Sequence, residues 1–411
     1  MRILWASNSP YNLSGYGMQT MMVTPRIQGA GHDVGIAANY GVEGCTLSYE
    51  GPRGAMPVFP KGGEPHSIQI TGEHAERWQA DVIMTHYDAW VYELEHFKGR
   101  PWAPWFPIDC DALQTQVEDK VKHAAFRITQ TRHGQAACQD RGLSCEYVPA
   151  AFSAEWYKPQ DATGWREGAG IPEDAFLVAM IAANKGAPGA PSRKSFPQIF
   201  EGFKLFLAER PDAYLYVHTI MQGHLDLLEL ADRYGIQNNI SFAHPYPLVS
   251  GHCSVHDMAM IYSAADVLLS PSMGEGFGVP IIEAQACGTP VITGDWTAMS
   301  EITRTGLAIP KSEAVRYPVP HSGKVYGDMF IVRGEAVRDA LVEATTWNHD
   351  PAAVASAVGE YEISRVFDEH WVPVLNKLEA TLAKPNRPHP SGLNRAQRRR
   401  AKIQGGAQVA A

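Results

Sequence analysis

The feature that most constrains this chain is a regular alternation of short apolar runs with stretches whose apolar residues repeat at helical spacing. This rhythm is typical of a parallel sheet with crossover helices. Predicted strands in the first half lie at 3–6, 34–38, 82–85, 126–129 and 146–148. Those in the second half lie at 177–182, 214–218, 240–243, 266–270 and 291–293. The pattern therefore predicts the α/β class.

Two such series predict two doubly wound domains that face each other across a cleft, with ligand at the carboxyl ends of the strands. Predicted helices lie at 18–24, 116–125, 197–208, 224–234, 257–264, 280–286 and 360–382. Residues 41–72 are rich in Gly and Pro and are expected to be irregular, whereas 159–173 fit a linker. We therefore predict an N-terminal domain at 1–160 and a C-terminal domain at 170–360.

Charge and cysteine content limit the partners. The 411 residues carry a net charge of −9, but residues 384–411 hold seven basic and no acidic side chains. The remaining 28 basic and 44 acidic residues leave a body near −16, which would repel a nucleic acid. We interpret 384–411, with its basic run at 392–402, as a flexible appendage whose partner is unknown.

The cellular compartment is predicted from three sequence features: apolar runs, the N-terminus and the cysteines. No apolar run reaches the ~18 residues of a membrane span, and the N-terminus turns polar too soon for a signal peptide. Six cysteines without a CxxC spacing predict reduced thiols in a cytoplasmic protein.

Chemistry concentrates at 265–284, where a predicted buried strand runs into a Gly-rich turn that opens a helix. Gly276 and Gly278 let the backbone approach a ligand, and free amides at a helix N-terminus favour an anion. Glu275 can reach a sugar hydroxyl from the turn, and Glu283 can accept two hydrogen bonds from a ribose diol. These residues alone favour equally a nucleotide-sugar or dinucleotide site and a structural turn with two solvated carboxylates.

The E-x7-E spacing of Glu275 and Glu283 resembles the motif of retaining GT-B glycosyltransferases of family 4 (glycosyl transferases group 1). The surrounding run 264–302 is similar to the family pattern, with weaker likenesses at 29–34 and 147–159. The resemblance implies two Rossmann-like domains, with the acceptor on the N-terminal side and a nucleoside-diphosphate sugar on the C-terminal side. It implies a hexosyltransferase that acts on an acceptor hydroxyl, and a last helix at 361–383 that returns to the first domain.

The resemblance also assigns roles to single residues. Glu275 would be catalytic and contact the transferred sugar, and Glu283 would hold the ribose. Gly276, Phe277 and Gly278 would bind the donor through their backbone amides.

Arg193 and Lys194 resemble the family's basic entry to a helix, and we predict that they bind the donor diphosphate. Two cations at a helix start are unfavourable against the helix dipole unless an anion binds there. With these cations in place no metal or other cofactor is needed. The family's additional Arg after the preceding strand is missing here, and Asn184 or Lys185 could substitute for it.

The first half contributes a loop and a strand end. Gly15 and Gly17 resemble the family's glycine loop against the donor phosphates, although a plain turn fits equally. His86 matches the position of a histidine beside the donor sugar and is predicted to be catalytic; a surface histidine is the structural alternative. Asp88 is a further cleft candidate.

Other readings stay open. A catalytically silent nucleotide- or sugar-binding protein of the same fold is one alternative. An NAD-dependent oxidoreductase or epimerase is less favoured, because residues 8–15 contain no G-x-G-x-x-G. The acceptor is not indicated: a glycan, a lipid, a protein or a nucleobase would each fit.

Metal sites are not expected. The DxD sequence at 109–111 is interpreted as a turn, and the spacing of His244, His252, Cys253 and His256 fits no zinc site. The aromatic residues Trp102, Trp105 and Phe106 are interpreted as core or cleft wall.

Overall fold

A computed structural model describes residues 1–321 and 324–383, so the predicted tail at 384–411 lies outside the described residues. The strands are β1 (Arg2–Ser7), β2 (Asp33–Ala38), β3 (Leu47–Tyr49), β4 (Met56–Phe59), β5 (Val82–His86), β6 (Trp102–Phe106), β7 (Ile128–Thr129), β8 (Glu146–Tyr147), β9 (Leu177–Ile181), β10 (Tyr214–His218), β11 (Ile240–Phe242), β12 (Val267–Leu269), β13 (Val291–Gly294), β14 (Gly306–Ile309), β15 (Ala314–His321) and β16 (Lys324–Val332).

The α-helices alternate with these strands. They are α1 (Gly15–Gly29), α2 (Ile68–Arg77), α3 (Thr115–Val121), α4 (Arg132–Gln139), α5 (Trp165–Gly168), α6 (Phe196–Leu207), α7 (Leu227–Tyr234), α8 (Pro245–Ser250), α9 (Val255–Ala264), α10 (Val279–Ala286), α11 (Met299–Ile302), α12 (Gly334–Ala344), α13 (Pro351–Ala357), α14 (Ile363–Val366) and α15 (Val372–Ala383). None of the helices within the described residues is long and apolar enough to cross a membrane.

Two doubly wound sheets organise the chain, which confirms the predicted α/β fold. The first sheet has the order β3-β4-β2-β1-β5-β6-β7-β8, and the second has the order β11-β10-β9-β12-β13-β14. The strand order reverses between β1 and β5 and between β9 and β12, and ligands of such sheets bind in the crevice at this point. Central strands such as β5 and β12 are buried at every residue, as is typical of parallel sheets with helices on both faces.

The end of the chain packs against the first sheet. The indole of Trp371 is fully buried, with its ring centre 5.9 Å from that of Trp5 and 4.9 Å from that of Trp105. Lys377 pairs with Glu146 at 2.8 Å. The predicted single helix over 360–382 is wrong in detail, because a π-helical turn at Phe367–Trp371 separates α14 from α15. Such a turn inserts an extra residue and re-aims the side chains that follow.

Three other predictions needed correction. Residues 41–72 are not irregular throughout, since they form β3, β4 and the start of α2. The sequence does not predict strand β6 and indicates only aromatic residues of a core or cleft wall there, because WAPWF contains a proline and no alternation. The helix predicted to reach residue 125 ends at Val121. The predicted linker holds the short helix α5 and lies between the two sheets, and the domain limits themselves stay a prediction.

An antiparallel hairpin, β15–β16, was not predicted and reaches the first half of the chain. The backbone amide of Asp111 donates to the carbonyl of Asp328 at 2.9 Å, and Lys311 pairs with the Asp111 carboxylate at 3.0 Å. Buried Cys110, Met273 and Met329 form a small apolar cluster between the two halves. The hairpin therefore fastens the region after β6 to the second domain.

Candidate active site

The carboxyl ends of five strands supply the candidate residues. Loops after β1, β5 and β6 come from the first sheet, and loops after β9 and β12 come from the second. Parallel strands of one sheet end at the same edge of that sheet, so each set of loops lies at one edge. The two edges face each other across the crevice, where the loop after β12 approaches the loop after β6. Their candidate side chains are those of Tyr16, His86, Asp88, Asp109, Arg193, Lys194 and Glu275.

The Gly-rich turn between β12 and α10 touches the opposite domain. A Cβ on Gly276 would lie 2.2 Å from Cβ of Pro107, and one on Gly274 would lie 2.0 Å from the carbonyl oxygen of Asp109. Gly278 caps α10 with a φ of 97°, which favours glycine. Missing side chains therefore allow the two domains to close on each other here, a reason for these glycines that the sequence did not reveal.

Glu275 is the centre of a charge cluster. The buried carboxylate contacts Lys194 through Oε1 and Arg193 through Oε2, the latter at 3.4 Å. Arg193 also donates to the carbonyl of Gly274 at 2.6 Å. Burial raises the pKa of Glu275, but the two cations outweigh burial and lower that pKa to about 2. The carboxylate is therefore ionised at any working pH.

The cations are held in place by the start of α6. Ser195 precedes this helix with a φ of 57°, an uncommon backbone conformation for a residue other than glycine. The amide of Met273 donates to the carbonyl of Arg193 at 2.8 Å, which ties the cation loop to the glycine turn. Burial lowers the pKa of Lys194, partly offset by Glu275. The structure thus brings Arg193, Lys194 and Glu275 together, although their predicted roles stay predictions.

Glu283 lies apart from this cluster, inside α10. Its carboxylate accepts a hydrogen bond from the hydroxyl of Tyr262 at 2.9 Å and a second from that of Tyr157. Burial raises the pKa of Glu283 to about 7, against the lowering effect of both hydroxyls. Two tyrosine hydroxyls thus already bind the carboxylate that is predicted to hold the ribose. Tyr157 and Tyr262 were not singled out from the sequence.

His86 is buried and only 2% exposed, so it is not a surface histidine. Its ring stacks on Trp105 with centres 4.0 Å apart and meets the edge of Tyr16 at 4.9 Å. Burial lowers its pKa to about 3, which keeps the imidazole neutral. Its Nδ1 is buried without a hydrogen-bond partner among the described residues.

Asp88 and Asp109 face Arg193 from the first domain. Burial and the charge of Asp109 raise the pKa of Asp88 to about 6, against the lowering effect of Arg193. Asp109 accepts a hydrogen bond from Gln114 at 2.9 Å, whereas Asp111 pairs with Lys311. The DxD sequence therefore splits into two separate contacts, and the position of Asp109 after β6 is the signal that was missed.

Three of the four remaining predicted donor residues have structural contacts, and Gly15 does not. Gly15 opens α1 with open space beside it, whereas a Cβ on Gly17 would lie 1.8 Å from the carbonyl oxygen of Asn12. The Asn184 amide donates to the carbonyl of Leu225 at 2.8 Å and accepts from its amide at 3.1 Å. Asn184 thus braces the loop after β10 and has little capacity left for a phosphate. Buried Phe277 packs its ring on Tyr361, with centres 5.7 Å apart.

Glu301 joins the domains beside this site and was also missed. Its carboxylate accepts from the backbone amides of Arg132, at 3.0 Å, and His133, at the start of α4. A negative charge is stabilised at a helix N-terminus. Burial nevertheless raises the pKa of Glu301 to about 7.

Metal-ligating side chains do not gather within the described residues. His244 caps α8 by accepting a hydrogen bond from the backbone amide of Tyr246. The ring of His252 stacks on the ring of Tyr246. Cys253 lies 3.8 Å from Nε2 of His218, which makes a contact between two groups only.

Fold comparison defines the class. Sucrose-phosphate synthase from Thermosynechococcus elongatus superposes with a TM-score of 0.62 at 16% identity, over 92% of this chain and 97% of that one. Anabaena HepE in complex with UDP and glucose superposes with a TM-score of 0.59 at 16% identity, over 93% of this chain and 100% of that one. The chain has the GT-B fold of two Rossmann-like domains.

Sequence comparison finds similarity in the second half of the chain. Residues 192–317 match the family model of Glycosyl transferases group 1, which confirms the resemblance found in this region. D-inositol 3-phosphate glycosyltransferase of Mycobacterium tuberculosis is 29% identical over 164 residues, 39% of this chain and 31% of that protein. The matched region thus spans about a third of the length of such curated relatives.

Proposed function

We propose that the protein is a retaining, family-4 glycosyltransferase of the hexosyltransferase type that uses a nucleoside-diphosphate sugar. The observation that carries the proposal is the cluster of Glu275 with Lys194 and Arg193 beside the N-terminus of α10. Cations and helix amides together favour a diphosphate. The match to Glycosyl transferases group 1 over this same region supports the proposal.

The proposed chemistry is charge stabilisation at the leaving group. Lys194, Arg193 and the amides that open α10 would stabilise the negative charge that develops on the departing diphosphate. Glu275 would then exchange its contacts with the cations for hydroxyls of the transferred sugar. Neutral His86 can hydrogen-bond the sugar without repelling the cations, and its unpartnered Nδ1 supports this role.

Retention of configuration would follow from attack on the diphosphate's own face. The acceptor hydroxyl attacks as the diphosphate leaves, and its proton passes to the departing phosphate oxygen. The contact of Gly276 with Pro107 would help to exclude water, which otherwise hydrolyses the donor. We further propose that no metal is required, because Lys194 and Arg193 supply the positive charge.

A cytoplasmic location is also proposed. All six cysteines are free, as is usual for proteins of a reducing compartment. No role is assigned to the basic residues at 384–411.

Nucleoside-diphosphate release from UDP-, GDP- and ADP-sugars tests the proposal. We expect turnover with one donor in the presence of EDTA, and a loss of at least about 100-fold in Glu275→Ala. Glu335→Gln, an exposed carboxylate on α12, is the matched control and should retain full activity.

The second candidate, a catalytically silent binding protein of the same fold, makes the opposite prediction. The tight contact of Glu275 with both cations would then be a structural ion pair. Binding of a nucleotide sugar without turnover on any donor would favour this candidate and overturn the enzymatic proposal.

A further inference from the structure

The N-terminal side of the cleft is acidic where it meets the cations. Asp88 follows β5 and Asp109 follows β6, and both carboxylates act on Arg193 through their charges. Asp109 accepts a hydrogen bond from Gln114, whereas the Asp88 carboxylate accepts no hydrogen bond from the part of the chain that the structure describes. Asp88 is therefore free to accept one from a ligand.

Charge at this point disfavours an anionic acceptor. Together with Glu275, the cluster holds three carboxylates against two cations, Arg193 and Lys194. A donor diphosphate adds negative charge and engages both cations. The charges of the described residues that act on Asp88 are those of Asp109 and Arg193, so within residues 1–321 and 324–383 no additional cation faces Asp88 to bind a phosphate on the acceptor.

A row of aromatic rings lies beside Asp88. The ring of Tyr87 lies 4.6 Å from that of Tyr16 and 5.5 Å from that of His66. His66 has a φ of 60°, a conformation that residues other than glycine rarely adopt and that is often found at binding sites.

This row ends at an open cavity of about 520 Å³. The indole of Trp90, two positions after Asp88, lines the cavity and is 47% exposed. Gln116 and Glu93 also line it, and Glu93 is neutralised by Lys120 at 2.6 Å. An exposed aromatic face beside amide and carboxylate groups suits the apolar face and hydroxyls of a pyranose.

We propose that the cleft accepts a neutral, hydroxyl-rich glycan, with the attacking sugar at Asp88 and the preceding sugar unit on Trp90. The inference rests on the proposed function and names its acceptor class. It separates this chain from D-inositol 3-phosphate glycosyltransferase and sucrose-phosphate synthase, whose names contain a phosphorylated sugar or polyol.

Matched acceptor pairs test the inference, with the donor that the nucleotide-sugar panel selects. Glucose is compared with glucose 6-phosphate, fructose with fructose 6-phosphate, and maltose and cellobiose serve as two-unit acceptors. We expect kcat/KM to be at least ten-fold higher for the neutral member of each pair, and KM to be lower for a disaccharide than for glucose.

Variants separate recognition from folding. Trp90→Ala should raise KM for the disaccharide at least five-fold and leave KM for glucose within two-fold. Asp88→Asn should lower transfer to neutral sugars and narrow the discrimination against phosphorylated ones, an effect that a merely structural role would not produce. Tyr246→Ala, an exposed aromatic on α8, is the control.

The outcomes are distinguishable. Preference for a phosphorylated member overturns the inference, and so does the absence of transfer to every neutral sugar while the donor is still hydrolysed. An equal rise in KM for glucose and for the disaccharide in Trp90→Ala also overturns the inference. No hydrolysis of any donor overturns the proposed function itself, and the acceptor inference falls with it.

Discussion

Two glutamates eight positions apart have opposite electrostatic environments. Glu275 faces two cations, and its pKa falls to about 2, whereas Glu283 faces two tyrosine hydroxyls, and burial raises its pKa to about 7. Hydroxyls stabilise a buried carboxylate less than full positive charges do. Glu275 is thus permanently ionised, while Glu283 changes charge near neutral pH.

The raised pKa of Glu283 predicts a pH-dependent stability. The unfolded carboxyl loses its proton near 4.5, and the folded one keeps it until about 7, so stability declines as pH rises between these values. Glu283→Gln should therefore be more stable than the natural protein at pH 8, by up to about 3 kcal/mol, and nearly equal at pH 4.

Thermal unfolding at both pH values measures this difference, with exposed Glu335→Gln as the control. A stability difference that is the same at pH 4 and pH 8 would show that folding does not raise the pKa of Glu283.

Strands and helices with strong patterns were predictable, and those shaped by their neighbours were not. β10 matches its prediction at 214–218, because its apolar run is bounded by a turn at each end. β6 was not predicted because Pro104 interrupts its pattern. In the structure it lies between β5 and β7 and pairs with both. The π-helical turn before α15 packs Trp371 on Trp5 and Trp105, a contact that helical spacing alone does not reveal.

The candidate site was predictable where one segment carries it. The E-x7-E run indicated Glu275 and Glu283, and the basic entry to α6 indicated Arg193 and Lys194. Asp109 lies outside such motifs, and Glu301 lies at the end of the run 264–302 without an indicated role, because the contacts of both arise only when the two domains meet.

The glycine turn before α10 makes a prediction about closure. Gly276→Ala would place a methyl group 2.2 Å from Cβ of Pro107, so the two loops must separate. We expect kcat to fall at least ten-fold. The KM for the donor should stay within three-fold of that of the natural protein, because Arg193 and Lys194, the cations predicted to bind the donor, remain in place. Steady-state kinetics on the selected donor measure this split.

Gly168→Ala on α5 is the matched control, since a Cβ there meets nothing within 4 Å. Full kcat in Gly276→Ala would mean that the approach of the turn to Pro107 has no part in turnover.

The two domains are joined by polar contacts on both sides of the site. Glu301 accepts from the amides that open α4, and the hairpin β15–β16 holds the segment after β6. These contacts bring acidic groups of the first domain to the cations of the second. In a chain with net charge −9, Arg193 and Lys194 thus lie among carboxylates, with which an anionic donor would have to compete under the proposed function.

Binding of nucleoside diphosphates tests the central claim, that Lys194 and Arg193 form a diphosphate site, most directly. Calorimetric titration with UDP, GDP and ADP should show binding of one of them, weakened at least ten-fold by Lys194→Gln and unchanged by Lys204→Gln, an exposed lysine on α6, the helix that follows Lys194. Equal affinity in the two variants, or no binding of any nucleoside diphosphate to the natural protein, would contradict the account.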